Sequence, residues 1–560
     1  MGRPKDNLAG LLSCLARDVR ANTLAIMAAA MIPLIGMIGG AIDLSRMYIV
    51  KTRLQHACDA GALAGRKAMG GGTWSQSSYY PRTAAQRFFD ANISEAAYGA
   101  DAVDRRFTEN AGKVTGTATA SVPMTLMRVF GFTSRTLSVV CDADMRLPNT
   151  DVMFVLDTTG SMASYIGGVR KIDALRVSVK CFYEIVARLD TDAVCTTGTP
   201  SGGTGNQVQI RFGFVPYAVN VNVGRLLQPA WMADRWTYQS RTLLPGGYGQ
   251  WNGWSTSWRP ARWEYRAVEH NVAGLKNGSG WNASLSLPIG NNATAKTIPW
   301  PGCIEERRTV QSSPFTSITS SAFDLDIDMV PTADPATQWK PWLPGALYTR
   351  QSAYTNDTGS WTRATVQTDL STNYANAAYT SCPTEAKKLQ QWESAWVFDN
   401  YVDSLKVEGN TYHDIGLLWG ARLLSPTGIF GSENARTPEG GEIERHLIFM
   451  TDGDTQATPS DYSAYGVPWF DRRQTPDSVA PTDAMLEGQI NARFAALCTA
   501  IKNKNITLWV ISFGSMTTET KTRLQTCATS GRYFSANDAT SLQMTFKSIA
   551  DQISQLRLTR

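Results

Sequence analysis

Nineteen consecutive positions, residues 24–42 (LAIMAAAMIPLIGMIGGAI), carry no charge. As a helix they span roughly 28 Å, close to a hydrocarbon core of about 30 Å. A helix apolar on every face is a membrane span or a wholly buried element. Pro33, Gly36, Gly39 and Gly40 suit the former. From 43 to 69 the pattern changes to a stripe of Leu44, Met47, Leu54, Ala57, Ala60, Ala64 and Ala68 beside Arg46, Arg53, Arg66 and Lys67, which predicts that the helix continues outward. Residues 71–81 (GGTWSQSSYYP) are expected to break it. A second helix over 83–96 and strands over 113–122 and 136–146 follow.

Beyond Pro148 the period alternates between strand and helix. Residues 151–156 (DVMFVL) read as an apolar strand closed by Asp157. Residues 163–189 read as an amphipathic helix with Ile172, Leu175, Val179, Phe182, Val186 and Leu189 inward, and 208–215 as a strand. The same alternation resumes near 393: helices over 393–407 and, after Thr411, over 412–425 up to Pro426, a strand over 446–453, a helix over 484–501, and a strand over 505–514. A short helix over 521–528, a strand at 532–534 and a closing helix over 539–556 complete it. This is the signature of an α/β open sheet with helices on its faces. Its strand ends at Asp157, Thr451–Asp452 and Phe513–Gly514 fall on one edge, where such sheets bind ligands.

The stretch 224–390 interrupts that pattern. It holds eleven of the seventeen tryptophans and little helical period. A structureless loop of that length is rare, so it reads as an inserted subdomain. Its tryptophans either fill an irregular core or form a binding face, and the core reading is favoured.

Composition narrows the classes. With 53 basic against 48 acidic side chains and a net charge of +5, the chain is too balanced for a nucleic-acid binder. Four scattered histidines argue against a His-built zinc site or relay. Of nine cysteines, Cys14 alone precedes the apolar helix. The other eight form an even set suited to an oxidising compartment. Chain proximity suggests Cys58–Cys141, Cys181–Cys195, Cys303–Cys382 and Cys498–Cys527 among 105 pairings. The charge bias around the helix barely favours a cytoplasmic N-terminus. Glu305–Glu306–Arg307–Arg308 is expected on a solvated face, and Asp324, Asp326 and Asp328 along a strand edge.

Three pieces at the strand ends carry chemistry. D157-T158-T159-G160-S161 follows a strand, and alternation lets Asp157, Thr159 and Ser161 aim one way. Thr411 lies just before a helix, and T451-D452-G453 ends the strand LIFM. Two carboxylates and three hydroxyls, with no His or Cys, suit a hard divalent ion such as Mg²⁺, with Mn²⁺ or Ca²⁺ as alternatives. The shell they offer leaves room for water or a partner's carboxylate. Asp157 and Asp452 would carry the charge; Thr159, Ser161 and Thr411 would offer hydroxyls. Each piece alone reads as a helix cap or an ordinary turn.

Together the pieces resemble the metal-ion-dependent adhesion site of von Willebrand factor type A domains. The phrases VMFVLDTTGSM, GNTYHDIGLLWGARLLSP and IFMTDG, with AIDLSRMYIVKTRLQHACDAGALAGRKA over 41–68, are similar to TadG-type proteins of bacterial tight-adherence (Flp) pilus assembly. The resemblance is poor over 224–390. Thr159 stands where Ser is commoner in the D-x-S-x-S motif.

The resemblance implies a cytoplasmic tail over 1–23 and a transmembrane helix with its extension over 24–69. A pilin-like α+β region over 70–147 follows. The von Willebrand-type domain would run over 148–223 and 391–560, interrupted by the 224–390 insertion. It implies a single-pass inner-membrane protein, largely periplasmic, that binds the lipid bilayer and proteins of the pilus machinery. The expected function is non-enzymatic: gripping a partner's acidic group through the ion. The alternative is a scaffold or minor pilin-like component in which the metal only stabilises the fold. Homo- or hetero-oligomers are left open.

Overall fold

The computed structural model describes residues 19–69, 74–93, 99–110, 113–144, 149–188, 209–249, 257–311, 318–348, 366–369, 378–438, 440–554 and 557–558. The chain divides into two compact units, one running to Leu147 and taking in the residues from Ser554, the other from Pro148 to Ile553.

In the first unit a single helix, α1 (Val19–Met69), contains the apolar run and its extension, with Pro33 inside it. From Ile26 it is long and apolar enough to cross a membrane. The extension turns Val50, Leu54, Ala57 and Cys58 into a core with Phe89, Phe107, Val114 and Val139. α2 (Gln76–Asn92) starts earlier than the sequence suggests and holds Pro81 within it. The expected break therefore reaches no further than Ser75; residues 71–73 lie outside the described set. β1 (Asp101–Asn110), β2 (Lys113–Pro123) and β3 (Ser134–Asp144) form an antiparallel meander. β1 is absent from the sequence reading because only Phe107 among its ten side chains is buried. Cys58–Cys141 ties α1 to β3.

The second unit is built on a six-stranded sheet. β4 (Asn149–Asp157) lies between β5 (Ile210–Tyr217) and the later strand Ile443–Thr451, parallel to both. α3 (Lys171–Arg188) connects β4 to β5. It begins eight residues later than its pattern suggests. Gly160–Ala163 form a 3₁₀ turn, and Tyr165–Ile166 pairs with Val169–Arg170 in a hairpin. Gly167 and Gly168 make that hairpin turn, both at positive φ (58° and 84°), the geometry a two-residue I′ turn requires.

The insertion carries a three-stranded antiparallel sheet of β6 (Arg235–Leu244), β7 (Arg262–Asn271) and β8 (Val366–Asp369). The chain then returns through β9 (Lys387–Gln390), which adds antiparallel to β5 at the edge of the six-stranded sheet. α4 (Ala395–Asp403), α5 (His413–Leu424), β10 (Ile443–Thr451), α6 (Asp483–Lys502), β11 (Thr507–Phe513), α7 (Thr518–Cys527), β12 (Tyr533–Ala536) and α8 (Ala539–Ile553) follow. The strand order is β9-β5-β4-β10-β11-β12.

Alternation along β4 assigns its two faces. Phe154 meets Phe182 of α3 and Phe546 of α8. Val155 meets α5 on the other side. α5 lies so close that a Cβ on Gly420 would sit 2.2 Å from Val155, and one on Gly416 2.5 Å from Tyr217. Glycine at this four-residue spacing lets the helix axis approach the sheet and fixes where its N-terminus, beside Thr411, arrives.

The insertion shares this core. Trp231, Trp263, Trp300, Trp339 and Trp342 are buried in one cluster with α5 and β4, and Trp236 and Trp281 pack against it. Trp258 is exposed; Trp251, Trp254 and Trp361 lie outside the described residues. The tryptophans here are chiefly core.

Two charge readings are corrected. Glu305, Glu306 and Arg307 are buried, at 3%, 0% and 0% exposure, while Arg308 is exposed as expected. Glu306 bonds Trp419 and Arg422 of α5, Glu305 bonds Tyr462 and Arg473, and Arg307 donates to carbonyls of the insertion. Asp324, Asp326 and Asp328 lie on turns, not a strand edge. Asp324 pairs with Arg493, and Asp328 with Lys504. Disulfides join Cys303–Cys382 and Cys498–Cys527 as expected. Cys181 is disulfide-bonded, and its expected partner Cys195 lies outside the described residues.

Candidate metal centre

β4 ends on Asp157, and the chain turns sharply through Thr159 into the 3₁₀ turn. Asp157 Oδ1 accepts from the backbone N–H of Thr159 at 2.9 Å and from its hydroxyl at 2.6 Å. The adjacent parallel strand β10 delivers Thr451 and Asp452. Thr451 Oγ1 donates to Asp157 Oδ2 at 2.7 Å, and Ser161 Oγ donates to Asp452 Oδ1 at 2.6 Å. Four of the five expected residues therefore form one continuous chain of contacts: Asp157, Thr159, Ser161 and Asp452.

Thr411 arrives by backbone. Its N–H and carbonyl both bond Gln456, at 3.0 and 3.1 Å. Its loop is stitched to the first piece by Glu408 N–H to Thr158 O and Gly160 N–H to Gly409 O, both 2.9 Å. The three pieces thus converge, while the Thr411 hydroxyl makes no hydrogen bond among the described residues.

The local electrostatics can be set against what a cation would need. Thr159 Oγ1 and Ser161 Oγ stand 3.0 Å apart. Each hydroxyl has one proton, and each proton is committed to a carboxylate. The two oxygens therefore face each other with lone pairs between two acids, an arrangement a hard cation relieves. Asp157 is fully buried, and burial first, then the charge of Asp452, pushes its carboxyl up to about 6. The donor set present fits Mg²⁺.

Four neighbours escape the motif. Lys171, at the start of α3, donates to Asp452 Oδ2 at 2.8 Å. Tyr217 OH reaches Asp157 Oδ2 at 3.4 Å. Thr451 spends its proton on Asp157; the buried His413 stands beside it, Nε2 2.9 Å from Thr451 Oγ1 and Nδ1 3.1 Å from Thr455 Oγ1. Burial, and then the charge of Arg523, pushes His413 down to about 3. It is a neutral prop for Thr451. The hairpin that places Lys171 is the missed signal: Gly-Gly between Ile166 and Val169 marks a two-residue turn.

Residues 22–86 match the family described as putative Flp pilus-assembly TadE/G-like. No curated protein matches the sequence. Among solved structures, the pilus adhesin SpaC of Lactobacillus rhamnosus GG is 11% identical with a TM-score of 0.31, over 81% of this chain and 34% of its own. The chain thus spans about a third of that adhesin's length. The vWF domain of the type V pili tip protein Mfa5 of Porphyromonas gingivalis is 9% identical with a TM-score of 0.29, over 73% and 95%. A von Willebrand factor type A protein of Catenulispora acidiphila is 10% identical with a TM-score of 0.25, over 81% and 50%. Over residues 22–86, which include the apolar run of α1, the chain is thus similar to the TadE/G-like family.

Proposed function

We propose that the chain is a membrane-anchored, pilus-associated binding protein whose second unit grips an acidic group of a protein partner through a divalent ion, Mg²⁺ foremost. The observation that carries this is the pair of proton-committed hydroxyls between Asp157 and Asp452. Asp157, Thr159, Ser161 and Asp452 would hold the ion, with Thr411 alongside. The bound ion would supply the positive charge that attracts a carboxylate. The chain's own part is to present the cluster on a rigid sheet edge and keep Asp157 out of water. The N-terminal helix would sit in the inner membrane with the large C-terminal part in the periplasm.

The test is thermal unfolding with and without Mg²⁺, paired with co-purification from membranes with and without chelator. At an ion concentration about 100 times its Kd, wild type gains about 2.7 kcal/mol; Asp157→Ala and Asp452→Ala gain nothing and lose the co-purifying partner. A partner retained under chelation and in both variants removes the metal bridge. If Mg²⁺ raises the melting temperature while the partner is unaffected, the scaffold reading holds. The backbone bonds stitching the Thr411 loop to the Asp157 turn favour it in that case, since an ion there would tighten them.

Lys171 opposes the ion, because its ammonium already neutralises Asp452. Lys171→Met is expected to lower the Mg²⁺ concentration for half the thermal gain by threefold to tenfold, about 0.6–1.4 kcal/mol. An unchanged or raised midpoint shows that Lys171 does not compete.

A further inference from the structure

The link between β2 and β3 is a short apolar tip. Met127–Phe130 form a 3₁₀ turn capped by Gly131. Val129 is 81% exposed, Phe130 40% and Phe132 61%. Three such side chains on one solvent-facing tip are costly in water. The tip packs on α1 inside its uncharged run. A Cβ on Gly39 would fall 2.8 Å from Leu126 Cβ, and one on Gly36 3.5 Å from the Phe130 ring. Gly36 lies seven residues before Asp43, roughly 10 Å along a helix. If residues 24–42 span the bilayer, a tip touching Gly36 and Gly39 stands at the depth of the acyl chains.

Non-helical backbone survives at that depth only where its polar groups are satisfied by protein. Asp43 does this. It is 2% exposed, and its carboxylate accepts the N–H groups of Thr125, Leu126 and Met127 at 2.9, 3.1 and 2.9 Å. Arg46 donates to Pro123 O at 3.4 Å and bonds the Thr125 hydroxyl. The donors that open the turn are thus occupied by the first charged side chain after the apolar run; what remains outward is Val129, Phe130 and Phe132 with one cation, the exposed Arg128, whose long stem would let its guanidinium reach the headgroups. On the same helix Leu44 and Tyr48 are also exposed, at 63% and 73%. The apolar surface is therefore continuous from the spanning helix across its membrane-proximal end.

We propose that residues 126–132 are a second membrane contact, a wedge of Val129, Phe130 and Phe132 that enters the lipid beside α1 and is held there by Asp43. The occupant of this face is lipid because the face is continuous with the spanning helix and the tip's backbone donors are capped. The wedge fixes the rotation of α1 about its axis and holds the meander of β1, β2 and β3 against the membrane surface. This rests on the membrane-anchor reading.

The experiment uses the full chain with Cys14→Ser, purified and reconstituted in phosphatidylcholine–phosphatidylglycerol vesicles. Val129→Cys, Phe132→Cys and, as an exposed control on β1, Thr108→Cys are labelled with a membrane-impermeant maleimide. The two tip positions are expected to label at least tenfold more slowly than Thr108→Cys, at every protein-to-lipid ratio. Adding Asp43→Ala to Val129→Cys is expected to restore fast labelling. Tip labelling at the control rate in vesicles that retain the protein through carbonate extraction overturns the wedge and leaves the anchor intact. Failure of the protein to stay with the vesicles overturns the anchor itself. Protection lost on dilution with lipid assigns the face to a second copy and likewise overturns the proposal.

Discussion

Replacing Glu306 by Ala is expected to cost the second unit about 3–5 kcal/mol, the usual penalty for removing one partner of a buried ion pair. Glu306 belongs to the insertion and is fully buried. Its Oε1 accepts from Arg422 Nη1 and from Trp419 Nε1, each at 2.7 Å, and both donors lie on α5. Its Oε2 accepts from Trp339 Nε1 at 3.1 Å. Burial pushes the carboxyl up, but Arg422 and Arg307 more than offset this and hold it below its ordinary value. Burial, followed by the charge of Arg422, pushes Arg307 down to about 9. Without Glu306 the two guanidiniums would face each other in a dry core, and two indole donors would lose their acceptor. Glu306→Gln keeps one acceptor oxygen for one indole, turns an amide donor toward the other, and should cost somewhat less than Glu306→Ala. Replacing the pair together, by Glu306→Gln with Arg422→Met, should recover part of the loss, because one of the two guanidiniums leaves with the carboxylate and only Arg307 keeps a buried charge there. Denaturant unfolding of the detergent-solubilised chain, followed by tryptophan emission, measures all three. A loss below 1 kcal/mol for Glu306→Ala would show that the pair does not hold the insertion.

The same residues explain where sequence reading stops. Glu-Glu-Arg-Arg looks like a solvated face because charges adjacent in sequence usually are one. That holds for Arg308, which is exposed; what buries Glu306 is Arg422, 116 residues away, and Trp339 and Trp419, which no local pattern links to it. The β1 strand is illegible for the opposite reason: nine of its ten side chains reach solvent to some degree, so no apolar alternation marks it. The long helix, the alternating strands and helices, and three cysteine pairs were legible because each follows a local rule: period, length or proximity. The candidate metal centre is intermediate. Asp157, Thr159, Ser161 and Asp452 sit at strand ends that periodicity locates, and parallel pairing of β4 with β10 brings them together. Thr451 and Lys171 were not legible as members, because their roles come from cross-strand register and from a hairpin that starts α3 eight residues late.

Loss of the Cys303–Cys382 disulfide is expected to reach the proposed metal centre as well as the fold. The two cysteines are 79 residues apart in sequence. Closing a loop of that size removes unfolded-chain entropy worth about 4 kcal/mol, within the 2–5 typical of native disulfides. The bridge also fixes the end of the insertion. Asn222 Nδ2 donates to Pro301 O at 3.3 Å and to Pro383 O at 3.0 Å, clamping the residues beside both cysteines. Cys382 N–H donates to Glu408 Oε1 at 3.1 Å, and Glu408 N–H donates in turn to Thr158 O at 2.9 Å. The path from the bridge to the turn that carries Asp157 and Thr159 is therefore two residues long. Cys303→Ser with Cys382→Ser should lower stability by about 4 kcal/mol and also raise the Mg²⁺ concentration needed for half the thermal gain. Cys58→Ser with Cys141→Ser, which removes the bridge of the first unit, should leave the Mg²⁺ midpoint unchanged. Equal shifts of that midpoint in both double variants would mean that the ion senses general destabilisation and not the Glu408 path. A fall in stability with no shift in either would confine the Cys303–Cys382 bridge to holding the fold.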